Sequence, residues 1–240
     1  MQHGRNEPDI ENRFLLALPE SCLKRLKPHL EHLEMRPRDV LIRNGDTIDH
    51  IYFFNRGLAS LVKTMRDGRM VEIGVVGTSG VVGLFSLLGV ERSAWESVVQ
   101  APGNALRIAR SVVQAEMARS HVLHNMVRRR AALFLGELAQ TAACNRLHSL
   151  EQRCCRWLLM AHDSAGTDSF PLTHEFLALM LGVQRSGLSI VAGALQRDGF
   201  IRYTRGRVNI VDRAGLEAGS CECYATVRAE CDHLFGKAND

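Results

Sequence analysis

Apolar and polar residues along this chain change their period from one segment to the next. Over residues 12–33, Phe14, Leu15, Leu18, Leu23, Leu26 and Leu30 recur at near-helical spacing. Pro19 and Pro28 interrupt that pattern, so short helices are expected there. Over residues 34–109 the pattern turns into short apolar runs, often alternating: Val40–Ile42, Ile51–Phe54, Leu58–Val62, Met70–Val76, Val98-Val99 and Ala105–Ile108. Turn-forming clusters separate them: Asn44-Gly45-Asp46, Asn55-Arg56-Gly57, Asp67-Gly68, Gly77–Gly80 and Pro102-Gly103-Asn104. Asp67-Gly68 between two strand-like runs is a strong hairpin signal. Many short strands at this spacing imply a sandwich or barrel.

Residues 111–143 return to a helical period, and no breaker appears before Cys144-Asn145, so one long helix is expected. Its apolar stripe is Val122, Met126, Leu133 and Leu138, with Arg128-Arg129-Arg130 alongside. A stripe of that length has to be covered, either by a two-fold partner or by the chain's own barrel; the partner is the simpler answer. A further helix is expected over residues 148–160, with Leu150, Trp157, Leu158 and Leu159 apolar, and then a polar loop from His162 to Ser169.

The segment from Pro171 to Arg197 is the most informative. Pro171 suits a helix start and Thr173 can cap the first turn. Phe176, Leu177, Met180 and Leu181 give an apolar face, and Gly182 ends the helix where a left-handed residue is needed. After Val183 a second helix runs from about Gln184 to Gln196, with Leu188, Val191, Ala192 and Leu195 facing inward. Its other face carries Arg185, Ser186 and Ser189 directly after Gln184. Such short polar side chains and one Arg are what a helix needs to reach base edges in a major groove. Two strand-like pieces, Phe200–Tyr203 and Arg207–Val211, follow around Thr204-Arg205-Gly206, a hairpin wing bearing Arg202, Arg205 and Arg207. The order is that of a winged helix-turn-helix.

Charge sharpens this reading. The net formal charge is +4, but Pro171–Arg213 holds six Arg against three acids, whereas Ala214–Asp240 holds two bases against five acids. A basic module followed by an acidic tail fits a polyanionic partner. Composition, with 46% hydrophobic and 23% charged residues, allows a packed core. No apolar run approaches the length of a membrane span, and Met1–Glu11 lacks an apolar signal core, so a cytoplasmic protein without a membrane partner is expected. Seven cysteines, an odd number, are then expected to be reduced thiols.

Gly182–Gln196 with its hairpin, together with Ile51-Tyr52-Phe53, Asp67-Gly68-Arg69 and Gly83-Leu84-Phe85, resembles the Crp/Fnr family over roughly residues 14–213. The expected fold class is α+β: an N-terminal β-roll (jelly-roll-like, a double-stranded β-helix) over 12–121, a central dimerisation helix over 122–147, a winged helix-turn-helix over 148–213 and an acidic Cys-containing tail over 214–240. The resemblance implies a homodimer on a pseudo-palindromic operator in double-stranded DNA, with RNA polymerase as a candidate partner. It assigns base contact to Gln184, Arg185, Ser186 and Ser189, with Arg185 the counterpart of the family's recognition Arg. It assigns phosphate contact to Thr173, His174, Arg205 and Arg207. Ser186 and Ile190 depart from the cyclic-AMP receptor, whose DNA consensus should not be carried over.

The same resemblance points to an effector pocket at Gly83, Arg92 and Ser93. Gly89-Val90-Glu91-Arg92-Ser93-Ala94-Trp95 is similar to the family's phosphate-binding cassette, in which Arg clamps a cyclic phosphate and Ser donates to it. The Glu that would accept from the ribose hydroxyl is replaced by Val81. The site therefore binds a different small anion, binds a cyclic nucleotide weakly, or has become structural. No cofactor is certain.

Other chemistry is sparse. Cys221-Glu222-Cys223 with Cys231 is one ligand short of a structural zinc site; His233 could complete it, but no metal is assigned. Cys154-Cys155 diverge on a helix, and a single N-terminal cysteine, Cys22, rules out the iron–sulfur sensing that needs an N-terminal cluster. His121 and His124 carry no positive sign of haem. The chain has no G-x-S-x-G elbow, phosphate loop or H-E-x-x-H, so it is not read as an enzyme. The alternatives to a DNA-binding regulator are a ligand-binding module acting through protein contacts, or a redox- or metal-responsive regulator using the C-terminal cysteines.

Overall fold

The computed structural model describes residues 9–236. Two short helices open the chain, α1 (Arg13–Leu16) and α2 (Glu20–Leu26). Asn12 caps the first, its side chain accepting from the Leu15 N–H, while its amide donates to the carbonyls of Phe54, Thr78 and Gly80. The helical pattern expected up to residue 33 stops earlier: after Pro28 the chain extends as strand β1 (Glu31–Met35), which pairs with a later strand.

The β-roll continues with β2 (Val40–Ile42), β3 (His50–Thr64), β4 (Met70–Val76), β5 (Val81–Val82) and β6 (Glu96–Ala109). All pairings are antiparallel, in the order β1-β6-β3-β4, with β2 on β6 and β5 on β3. The Asp67-Gly68 hairpin forms as expected, with Thr64 opposite Met70. Two of the expected turns are something else. Asn55-Arg56-Gly57 lies within β3 and Pro102-Gly103-Asn104 within β6, facing each other, and the register shifts there. The polar and glycine residues make bulges that bend two long strands, because the ladder on either side is continuous.

The single long helix expected over 111–143 is two. α3 (Arg110–Arg119) ends at Ser120, whose backbone is extended, and whose hydroxyl then caps α4 (His121–Leu147) by accepting from the Leu123 N–H. The break lets Glu116 on α3 reach back to Arg25 on α2, Oε1 to Nη2 at 2.6 Å. Coverage of the α4 stripe is divided. Met126, together with Leu123, Val127, Ala131 and Phe134, is buried against the chain's own roll, and Leu133 and Leu138 are half-buried. Val122, Ala132, Leu135, Gly136, Ala139, Ala142 and Ala143 stay exposed.

A capping box of Ser149 and Gln152 starts α5 (Leu150–Ala165). This helix runs through the start of the loop expected from His162, and Ser169 begins strand β7 (Ser169–Pro171). Pro171 therefore sits in a strand, not at a helix start. The rest is α6 (His174–Leu181), α7 (Arg185–Arg197), β8 (Ile201–Thr204), β9 (Arg207–Ile210), α8 (Arg213–Gly219) and α9 (Cys223–Phe235), with a sheet ordered β7-β9-β8. The acidic tail is thus helical as far as Phe235, and α9 lies along α4. One apolar core joins Leu58, Val62 and Ala101 of the roll to Trp157, Leu158, Leu177, Leu188 and Val208 of the C-terminal unit.

Candidate nucleic-acid interface and effector cavity

The Thr173 hydroxyl accepts from the Phe176 N–H at 3.2 Å, which starts α6 at the capped residue. Gly182 ends it with φ +65°, a conformation in which a Cβ is disfavoured, and the Val183 N–H then bonds the Ala178 carbonyl at 2.9 Å. The chain turns by 110° into α7, within the range of helix-turn-helix units. Leu188, Ala192 and Leu195 are fully buried beneath α7. Gln184, Arg185 and Ser186 are exposed on its first turn, and Ile190, 72% exposed, follows on the same outer surface.

Ser189 and His174 have additional work inside the protein. The Ser189 hydroxyl lies 3.2 Å from Nδ1 of His174, and the His174 ring meets Tyr203 edge-on at 4.5 Å. Burial, and then the charge of Arg185, hold the His174 pKa below its ordinary value. A neutral ring can accept the Ser189 proton, so this pair ties the start of α6 to α7 and to the wing. The wing itself is a tight hairpin: Thr204 pairs with Arg207 around Arg205 and Gly206, whose φ values are +49° and +76°. Two successive positive φ angles mark the type I′ turn, which matches the twist of the flanking strands. Arg202 and Arg205 project into solvent, and Arg207, also exposed, donates from Nη2 to the Ser169 carbonyl at 3.0 Å.

In the β-roll, Gly83, Arg92 and Ser93 do come together, around a cavity of about 240 Å³. Its walls are mostly apolar: Ile42, Ile48, Leu61, Val76, Val82 and Phe85 from the roll, Phe134, Leu135 and Leu138 from α4. Phe85, Trp95 and Phe134 form a ring cluster with centroids 5.6–6.2 Å apart. The Arg92 guanidinium donates to the Gly45 carbonyl at 2.9 Å, and the Ser93 hydroxyl to the Trp95 carbonyl at 2.6 Å. Val81 is buried in β5 opposite Phe53. The lining has no carboxylate among the described residues, so it lacks a charged acceptor for a ribose hydroxyl. These residues do not fit the full cyclic-nucleotide cassette.

The cysteines are arranged differently from the sequence-based grouping. Cys231 lies beside Ser79 and Glu137, while Cys221 and Cys223 meet Cys144 and His148, two residues at the end of α4 that sequence reasoning passed over. Their i,i+4 spacing was the one available signal.

Comparison with known proteins agrees with this architecture. Residues 32–120 match the cyclic nucleotide-binding domain and residues 152–218 the Crp-like helix-turn-helix domain. The transcriptional regulator SdrP of Thermus thermophilus is 23% identical over 204 residues, covering 78% of this chain and 93% of that protein. The structure of FixK2 from Bradyrhizobium japonicum superposes with a TM-score of 0.67 at 14% identity, covering 80% of this chain and 98% of that one. A CRP-family transcriptional regulator from Thermus thermophilus gives 0.65 at 21% identity, covering 78% and 96%. A β-roll of the cyclic-nucleotide-binding type joined to a winged helix-turn-helix defines a class of DNA-binding transcription regulators. This chain belongs to the Crp/Fnr family of that class. Among the described residues no single helix is long and apolar enough to cross a membrane.

Proposed function

We propose that the protein is a homodimeric, sequence-specific DNA-binding regulator, not an enzyme, that inserts α7 into the major groove and rests its wing on the phosphate backbone. The observation that carries this reading is the two-sidedness of α7: Leu188, Ala192 and Leu195 anchor it completely, while Gln184, Arg185 and Ser186 stand free at the end that enters a groove first. Arg185 is the base-reading residue, able to fork onto guanine O6 and N7. Thr173, His174, Arg205 and Arg207 surround it as the phosphate-facing set, with His174 acting through Ser189 and the wing. RNA polymerase is a candidate partner.

Dimerisation would use the exposed side of α4. Ala132, Leu135, Gly136, Ala139, Ala142 and Ala143 recur at three- and four-residue steps, a seam of mostly small side chains that lets two helices approach closely. Two winged units would then address half-sites one DNA turn, about 34 Å, apart.

The cavity of the β-roll supports a signal input of a different chemistry from a cyclic nucleotide: a small, largely apolar molecule, or one with a single anionic group for Arg92. Phe134, Leu135 and Leu138 line it and belong to the seam helix, so occupancy would bear on the dimer. Selection of bound duplexes from a random pool, followed by titration at several salt concentrations, tests the DNA reading. A palindromic consensus and a steep loss of affinity with salt are expected. Salt-insensitive binding, or no enrichment, would refute it. Repeating the selection with cyclic AMP should leave the outcome unchanged.

A further inference from the structure

We propose that Cys144, His148, Cys221 and Cys223 form a tetrahedral zinc site that pins the C-terminal segment to the end of the central helix. The donor atoms of all four lie within 4.8 Å of one another. The Cys144 and Cys221 sulfurs are 3.5 Å apart, and the Cys223 sulfur is 3.5 Å from Nδ1 of His148. A zinc ion bonded to sulfur at about 2.3 Å in tetrahedral geometry sets its ligand sulfurs about 3.8 Å apart. The observed spacing is therefore close to that of ligands sharing one ion, and far beyond the roughly 2.05 Å of a disulfide. Three thiolates and an imidazole, with no fifth donor in the group, make a closed site of the structural kind, and soft sulfur donors in a tetrahedron select zinc among the common divalent ions.

The surroundings are those a zinc site requires. Nε2 of His148 lies 3.2 Å from Oε2 of Glu222, so the ring can place its proton there and turn the Nδ1 lone pair toward the sulfurs. Gln140 donates from Nε2 to the Cys223 sulfur at 2.9 Å. The three thiols are buried and form a small cluster of their own, apart from the larger apolar cores. Zinc with three thiolates carries a net negative charge. Arg156, only 6% exposed, sits beside Cys144 and donates to the Thr141 hydroxyl at 3.1 Å. Its Nε has no hydrogen-bond partner among the described residues, and the acid its charge acts on is Glu72, itself buried. An anionic metal centre would give this buried cation a further counter-charge.

The location gives the ion a task. Cys144 belongs to the last turn of α4, and His148 is the extended residue between α4 and α5. Cys221 and Cys223 come from the junction between α8 and α9. The ion would therefore clamp the connector that sets the winged unit against the seam helix.

The test uses the full-length protein, prepared with reductant and without chelator. Elemental analysis should give about one zinc per chain. Replacing zinc with cobalt(II) should produce the intense visible bands of a tetrahedral centre and thiolate-to-cobalt charge transfer sized for three sulfurs. Cys221→Ser and Cys223→Ser should lose the ion, and Cys231→Ser and Cys22→Ser should keep it. Chelation of the wild type should expose the connector near His148 to limited proteolysis. The proposal is overturned if the wild-type protein holds no zinc and gives no tetrahedral cobalt spectrum, if Cys223→Ser retains both, or if the native protein carries a Cys144–Cys221 disulfide. The cobalt titration needs no variant, so misfolding of a mutant cannot obscure the answer.

Discussion

The indole N–H of Trp157 on α5 lies 3.2 Å from each carboxylate oxygen of Glu72 on β4, across the seam between the winged unit and the β-roll. The Ser60 hydroxyl also donates to Glu72, which is 8% exposed. Burial pushes the Glu72 pKa up from 4.5 to about 7, against the opposing pull of Ser60, Trp157 and the charge of Arg156. The folded state thus holds this proton more tightly than the unfolded chain does. Its stabilising effect is complete below pH 4.5 and is lost as pH rises through about 7. Between those limits the contribution falls by up to about 1.4 kcal/mol per pH unit. Chemical denaturation across this range should show that slope in the wild type, and Glu72→Gln should flatten it. Equal slopes in both proteins would show that Glu72 does not titrate there.

Arg185→Ala should weaken binding to the selected operator by about 1–3 kcal/mol, roughly 5- to 150-fold, and relax discrimination at one base position. Because Arg185 is exposed, the thermal midpoint should hardly move. Fluorescence anisotropy with matched and mutated duplexes checks this. Equal loss on every duplex would demote Arg185 to a backbone contact.

The wing turn separates stability from charge. Arg205 holds φ +49° without the freedom of glycine, so Arg205→Gly should leave the fold as stable or slightly more so while removing one cation. The salt dependence of DNA binding should then decrease by about one unit of slope. Gly206→Ala should cost about 1 kcal/mol of stability at φ +76°, with the slope preserved. A salt slope unchanged in Arg205→Gly would place the wing off the DNA.

Ala139→Glu puts a charge into the exposed seam of α4 without touching the residues that hold the helix to its own roll. Sedimentation should show a monomer with wild-type circular dichroism, and affinity for a two-half-site duplex should drop toward that for a single half-site. A persistent dimer would move the two-fold interface elsewhere.

Local signals were legible wherever a feature is made by neighbours in the chain. Asp67-Gly68 needs only a tight turn between strands, and Gly182 only a left-handed residue between two amphipathic helices, so both were readable. Ser120 was not. Nothing in the period of Arg110–Leu147 changes at that point, and the break exists because α3 has to lie against α2, where Glu116 meets Arg25. Likewise Asn55-Arg56-Gly57 has the composition of a turn, and becomes a bulge because the paired strand beside it continues.

The amino-acid order by itself determined the succession of β-roll, long helix and winged helix-turn-helix, and the side of α7 that faces outward, because periods of two and 3.6 residues and the conformational demands of glycine act over a few neighbouring positions. Tertiary structure alone decided which distant side chains meet. Cys144 and Cys221 are 77 positions apart and Glu72 and Trp157 are 85 apart. Their contact depends on how whole helices settle on the roll, through packing that leaves no periodic trace in the chain.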